Sequence, residues 1–279
     1  MRFPAFFVSS LVTILFVPAA MAQQGVGMAN GSPFTDFTTW TLAGSAAAVT
    51  ETPGNGFTYS RIVLTQPGTG GLAGSGFAPT ALAMDFNQPF YFDFNFFIPF
   101  NLDLRGDGMT FTLATAAGLG TGGSGLGYDG LTNSVAFAID TFHFGSEPVS
   151  PSLQILTQGS TVPLAFEETG LGDMIRDPNA QWFASVSYVP SGSNNNAGTL
   201  TGTIVRSDIG TFAVAASVDF SALGMVGNPV FYGFTAGNGL AMDGHFVTSA
   251  VAVPEPASWA LMALGLVAVA GRAMRRRLN

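Results

Sequence analysis

The chain has no cysteine. That excludes disulfide staples, thiolate metal sites and cysteine-based catalysis. It does not imply a reducing compartment, because a body of roughly 230 residues buries enough apolar surface to fold without cross-links. Lysine is missing as well: all nine basic residues are arginines. Charged residues of either sign make up only 9% of the 279 positions. There is no Gly-x-Ser-x-Gly nucleophile elbow and no phosphate-binding glycine loop. No long stretch of the body shows a helical period. The two histidines, His143 and His245, stand alone and read as loop or strand-end residues rather than metal ligands.

The charge that is present is unevenly placed. Arg2, Arg272, Arg275, Arg276 and Arg277 lie in the terminal segments, which leaves Arg61, Arg105, Arg176 and Arg206 in the body. Sixteen of the seventeen acidic residues are also in the body, so Gln23 to Ala252 carries twelve net negative charges. A body of that sign repels nucleic acid and anionic membrane surfaces.

Both ends read as addresses. Met1 to Ala22 has the form of a secretory signal peptide: Arg2, an apolar run from Phe6 to Val17, and the small-x-small site Ala20-Met21-Ala22. Cleavage there makes Gln23 the mature N-terminus; an uncleaved anchor is the alternative. At the other end, Val253 to Asn279 joins three physical features. Pro254-Glu255-Pro256 is stiff and extended, a form that a peptidase groove reads. Ala260 to Ala270 is uncharged and, with its flanks, near the short limit for a membrane span. Arg272 to Arg277 favours the cytoplasmic side of the inner membrane. A buried C-terminal helix is the alternative, and three consecutive arginines argue against it. The tail resembles the PEP-CTERM sorting signal of Gram-negative bacteria. The resemblance implies processing by an exosortase-type membrane peptidase, and a cell that makes exopolysaccharide or biofilm matrix.

The body reads as all-β, because its short alternating segments are separated by Gly, Asn, Pro and Ser. The clearest strand is Phe90 to Phe100, with Phe90, Phe92, Phe94, Phe96, Ile98 and Phe100 on one face and Tyr91, Asp93, Asn95 and Phe97 on the other. Core packing is the use expected of that aromatic row. Further strands are expected at 34–43, 57–65, 109–115, 134–142, 152–157, 181–189, 199–206, 211–219, 231–236 and 245–252. Gly68 to Gly76 and Ala116 to Thr132 read as glycine-rich loops, the second long enough to be functional or mobile. Glu167 and Glu168 read as solvated loop charges. About a dozen short strands with turn punctuation predict a β-sandwich or jelly roll.

Three stretches point to a family. They are Gly106-Asp107-Gly108-Met109-Thr110-Phe111, then Leu126 to Phe142 containing Asn133-Ser134-Val135-Ala136-Phe137-Ala138-Ile139-Asp140-Thr141, then Val230 to Gly239. In order and spacing they resemble the L-type (legume-like) lectin domain, over about Phe34 to Ala252. The resemblance implies a concanavalin-like sandwich with a shallow carbohydrate site and no enzymatic activity. There an aspartate accepts hydrogen bonds from two sugar hydroxyls, as an acceptor-only carboxylate does well. Asp107 takes that role; Asp-Gly is also a common turn pair, and spacing does not separate the two uses. A loop amide from Gly123, Ser124 or Gly125 donates to the sugar, and Asn238 lies in the third matching stretch. The resemblance further implies Ca²⁺ beside the site, through Asp140, the Phe142 carbonyl and Glu147. Ala138 and Phe144 stand where the family places a glutamate and an asparagine. Sandwich glycosidases related to this fold need paired carboxylates on one strand, and the equivalent positions here are Ala138, Asp140 and His143. The expectation is therefore an exported, anchored protein that binds carbohydrate or exopolysaccharide at the cell surface or in the matrix. A structural matrix protein that has lost the sugar site is the alternative.

Overall fold

The computed structural model describes residues 35–52, 59–99, 106–177, 181–240 and 242–254. The signal peptide at 1–22 lies outside the described residues, as do Phe100, Arg105 and the tail from Glu255 onward. In chain order the strands are β1 (Thr41–Gly44), β2 (Ala47–Glu51), β3 (Tyr59–Thr65), β4 (Ala73–Phe77), β5 (Phe90–Phe97), β6 (Gly108–Ala114) and β7 (Ser134–Asp140). They continue as β8 (Ser152–Thr157), β9 (Ala165–Glu168), β10 (Trp182–Pro190), β11 (Ala197–Arg206), β12 (Gly210–Asp219), β13 (Phe231–Gly237) and β14 (His245–Pro254). Among the described residues these form two seven-stranded sheets, one ordered β1-β4-β13-β6-β7-β8-β9 and the other β12-β11-β10-β5-β14-β3-β2. The all-β sandwich expected from the sequence is the fold.

The row of phenylalanines explains how the two sheets find each other. In β5 the even-numbered side chains Phe90, Phe92, Phe94 and Phe96 are buried while the odd ones are half-buried, a strict alternation. Phe94 packs on Phe111 of β6, with ring centroids 5.8 Å apart, and edge-on against Phe234 of β13 at 5.0 Å. Those two partners belong to the opposite sheet, so β5 supplies the aromatic seam of the core.

Three strands run where the sequence reads loop or nothing. The Gly68–Gly76 region contains β4, which lies between β1 and β13. Its glycines serve approach rather than turning. A Cβ on Gly76 would fall 2.9 Å from both Ile62 and Leu42 side chains, and one on Gly74 would fall 2.9 Å from the Leu64 carbonyl carbon. Residues without side chains show no alternation, so the strand is invisible to pattern. β2 was likewise unmarked. Glu167 and Glu168 are exposed, as solvated charges should be, but they sit on β9 at the sheet edge rather than in a loop. The first expected segment opens instead as a 3-10 turn at Phe37–Thr39, capped by Asp36 accepting from the Thr38 N–H at 3.0 Å.

The long glycine-rich loop is folded down on the outer face of the first sheet. Thr235 donates to the Leu126 carbonyl at 2.8 Å, and the buried Tyr128 hydroxyl meets Ser134 Oγ at 2.8 Å. Leu126, Tyr128, Ala136, Ala138 and Leu156 make a second apolar cluster beneath it. The loop is thus held like an element of the core, and it carries a 3-10 turn at Gly123–Gly125 to the end of β13. The last strand, β14, lies between β5 and β3 and pairs with β5 as far as Pro254 opposite Phe90.

Candidate functional site

Asp107 stands at the entry to β6. The following Gly108 has φ +146°, and a Cβ there would lie 3.0 Å from Asp140 Cα, so only glycine turns the chain into the sheet at this point. The Asp107 carbonyl accepts from the Thr141 N–H at 2.9 Å, and the Gly106 carbonyl accepts from the Thr141 hydroxyl. The side chain is 5% exposed, and Oδ2 has no hydrogen-bond partner among the described residues. Burial lifts its carboxyl to about 6, the negative charges of Glu147 and Asp243 push the same way, and the Gly239 N–H opposes them. A buried acceptor without a donor is costly unless something else brings one.

Two glycine segments converge on it. A Cβ on Gly239 would be 3.3 Å from Asp107 Oδ2 and 3.7 Å from Gly123 Cα, and one on Gly237 would be 2.8 Å from the Gly123 carbonyl oxygen. The space beside Gly123 itself is open. Gly123 donates its N–H to the Asn238 carbonyl at 3.3 Å, and Gly125 donates to Gly122 at 3.1 Å. Ser124, partly exposed between them, is the one of the three whose N–H has no backbone partner among the described residues. Asn238 is fully buried. Its Oδ1 accepts from the Leu72 N–H at 2.8 Å, and its Nδ2 donates to the carbonyls of Thr69 at 2.9 Å and Asp243 at 3.2 Å. It clamps two backbone segments, 69–72 and the one at Asp243, under the site. Gly239, the last residue of the third matching stretch, and Asp243, which no motif marks, complete the floor. The exposed Phe144 (64%) and Leu240 (93%) belong to the loops on either side.

Asp140 is 4% exposed at the end of β7. Its Oδ1 accepts from the Phe142 N–H at 3.0 Å and Ser150 Oγ at 2.9 Å, and its Oδ2 accepts from Gln154 Nε2 at 2.8 Å. Glu147 Oε2 accepts from the Phe144 N–H at 2.8 Å. Ala138 offers no side-chain donor atom, and among the described residues no three His, Cys, Asp or Glu side chains come together to hold a metal. Ca²⁺ takes six to eight oxygens. The expected set of Asp140, the Phe142 carbonyl and Glu147 offers fewer oxygens than that, and its carboxylates already accept from Phe142, Ser150, Gln154 and Phe144, so it does not fit that ion. His143 is exposed, with Nδ1 3.1 Å from the Pro148 carbonyl.

The buried acids give the fold a pH dependence. Burial raises Asp140 to about 7 and Asp107 to about 6, so between pH 4 and 7 the folded chain holds protons that the unfolded chain releases. Their stabilisation is complete at low pH and is lost as pH rises through 6 and 7. His245 acts oppositely: burial, and then Arg176, hold it at about 3, so it loses stabilisation below pH 6.5. Two groups outweigh one. The melting temperature is expected to be about 5 °C higher at pH 5 than at pH 8, a gap that Asp140→Asn narrows, read by calorimetry.

Residues 252–277 match the PEP-CTERM protein-sorting motif. The motif therefore begins inside β14 and runs into the tail. The sandwich is similar in structure to legume lectins. A Bauhinia forficata lectin in complex with GalNAc superposes with a TM-score of 0.62 at 19% identity, over 78% of this chain and 93% of that one. The basic winged bean lectin with Tn-antigen gives 0.59 at 20% identity, over 76% and 91%. Lectin I-B4 of Griffonia simplicifolia in a metal-free form gives 0.57 at 20%, over 77% and 94%. At these identities the likeness is one of fold. No curated protein matches the chain in sequence.

Proposed function

We propose that this protein is an exported, lectin-like carbohydrate-binding protein of the cell surface or exopolysaccharide matrix. It is delivered by a cleaved signal peptide and held in the inner membrane by its tail until an exosortase-type peptidase processes it. The observation that carries the reading is the Asp107 carboxylate, buried with one oxygen unpartnered where two glycine segments meet on a lectin-like sandwich. Such an oxygen accepts from vicinal sugar hydroxyls, and glycine lets a ring approach the backbone closely. The Ser124 N–H is the loop amide free to donate in return. No pair of carboxylates is assigned to acid–base catalysis, and the reading is one of binding without turnover.

The alternative, a matrix protein without a sugar site, is favoured by one feature: Ala138 and the exposed Phe144 replace side chains that the resemblance links to metal and sugar. A glycan array probed with the full chain separates the two. Retention of specific glycans supports the first reading, and a blank array with folded protein supports the second. The processing step has its own check. Mass spectrometry of the surface-exposed protein is expected to find chains that begin at Gln23 and lack Arg275 to Arg277; intact tails on cytoplasmic protein would defeat it.

A further inference from the structure

We infer that an internal guanidinium, that of Arg176, is the fixed cation of this site and positions the loops that present Asp107 without any metal ion. The inference rests on the reading of Asp107 as the ligand-binding carboxylate and concerns how that residue is held.

Arg176 ends a 3-10 turn at Gly172–Arg176, and its side chain is 1% exposed. Three acceptors surround it. Nε donates to Asp243 Oδ2 at 2.5 Å, Nη2 to the Thr141 carbonyl at 2.7 Å, and Nη1 to Asp173 Oδ1 at 3.0 Å. The first two partners each grip the same dipeptide. Asp243 accepts from the Gly106 N–H, and its backbone packs so closely that a Cβ on Gly106 would be 2.5 Å from Asp243 N. Thr141 donates its N–H to Asp107 and its hydroxyl to Gly106. Arg176 thus ties together, from one point, the two segments that hold Gly106 and Asp107 on either side.

The chemistry suits arginine. A planar fork of five N–H donors reaches three acceptors in fixed directions, which a lysine ammonium on a flexible stem does not. A buried guanidinium is tolerated only when paired and hydrogen-bonded, and here one buried and one half-exposed carboxylate answer it. Around Asp140 the Phe142 N–H, Ser150 Oγ and Gln154 Nε2 already take three of the carboxylate's roughly four acceptor sites. A divalent cation would have to compete with those donors, whereas Arg176 is part of the chain. The same charge contributes to keeping the buried His245 neutral.

Hydrogen exchange of the Thr141 amide, which bonds Asp107, reads the positioning directly and needs no sugar. On the full chain in detergent micelles, 5 mM EDTA followed by 5 mM Ca²⁺ is expected to change neither that exchange nor the melting temperature; slower exchange or a higher melting temperature with Ca²⁺ would overturn the inference. In Arg176→Ala the Thr141 amide is expected to exchange at least tenfold faster while the β10–β11 amides keep their protection. Millimolar methylguanidinium restores the protection by refilling the cavity, and Ca²⁺ does not. Unchanged protection in the variant, or rescue by Ca²⁺, refutes the proposal. If Arg176→Ala does not fold, Asp243→Asn, which keeps the shape and removes the charge, is expected to speed Thr141 exchange at least threefold, and no change there is the refuting result. A blank glycan array with these results intact would sink the lectin reading alone, and glycan retention with Ca²⁺-dependent exchange would sink this inference alone.

Discussion

Asp107→Asn is expected to weaken glycan retention by about 100-fold or more, with a melting temperature no lower than that of the parent chain and higher above pH 6, where the buried carboxylate is ionised. Two charge-assisted hydrogen bonds to sugar hydroxyls contribute roughly 1.5–3 kcal/mol each, and about 2.7 kcal/mol is already a factor of 100. The amide keeps the size of the carboxylate but turns a donor toward hydroxyls that need an acceptor. Because Oδ2 bonds nothing within the described protein, the exchange removes little from the fold. On the proposed reading, the wild-type site is expected to carry a pH signature that the variant lacks. Sugar hydroxyls bind the ionised form, and that carboxyl titrates at about 6. Retention is therefore expected to be constant above pH 7 and to fall by about tenfold per pH unit below 6. Titration on an immobilised glycan from pH 8 to 4 checks it. A flat profile, or an Asn variant that binds as well as the parent, removes Asp107 from the site.

Gly202→Val is expected to be the most damaging single change in the sandwich. Gly202 faces inward in the middle of β11, and the ring of Phe137, from β7 of the opposite sheet, rests directly on it. A Cβ there would lie 2.6 Å from Phe137 Cγ, and closer still to two other ring carbons. Phe137 is fully buried and has nowhere to retreat. Overpacking costs about 1–3 kcal/mol where the neighbour can give, and more where it cannot. A loss of about 4 kcal/mol, near 10 °C in melting temperature, is the expected result by calorimetry. Pairing the change with Phe137→Leu should recover part of that loss; a pair no better than Gly202→Val alone would mean the two do not share one space.

The contrast between Gly202 and Phe94 shows what in this fold is legible from sequence. Phe94 announces its burial through alternation with Asp93 and Asn95. Gly202 announces nothing, since its role is to leave room for a ring about 65 positions earlier in the chain. The glycines of β4 hide a whole strand for the same reason. At the site, the Gly106-Asp107-Gly108 entry was marked by local residues and stands at the meeting of the loops. Asn238 was marked too, but every polar atom of its side chain is used within the protein, on segments up to 169 positions away. Arg176 was one of four arginines in an acidic, lysine-free body, and only that scarcity set it apart.

By itself the sequence determined, through periodicity and composition, an all-β body with a phenylalanine seam, and, through the resemblance of short motifs, a sorting signal at its C-terminus and the stretch that carries Asp107. These depend on residues within a few positions of one another, where side-chain alternation and turn chemistry act. The tertiary structure alone decided which loop amide is left unbonded, that the Asp140 oxygens accept from Ser150 and Gln154, and that Arg176 grips Asp243 and Thr141. Those pairings span 10 to 67 positions of chain. They exist only because the strand order brings β6, β7, β13 and the turn before β10 to one end of the sandwich, where a buried donor or acceptor must find its partner or remain, like Asp107 Oδ2, without one.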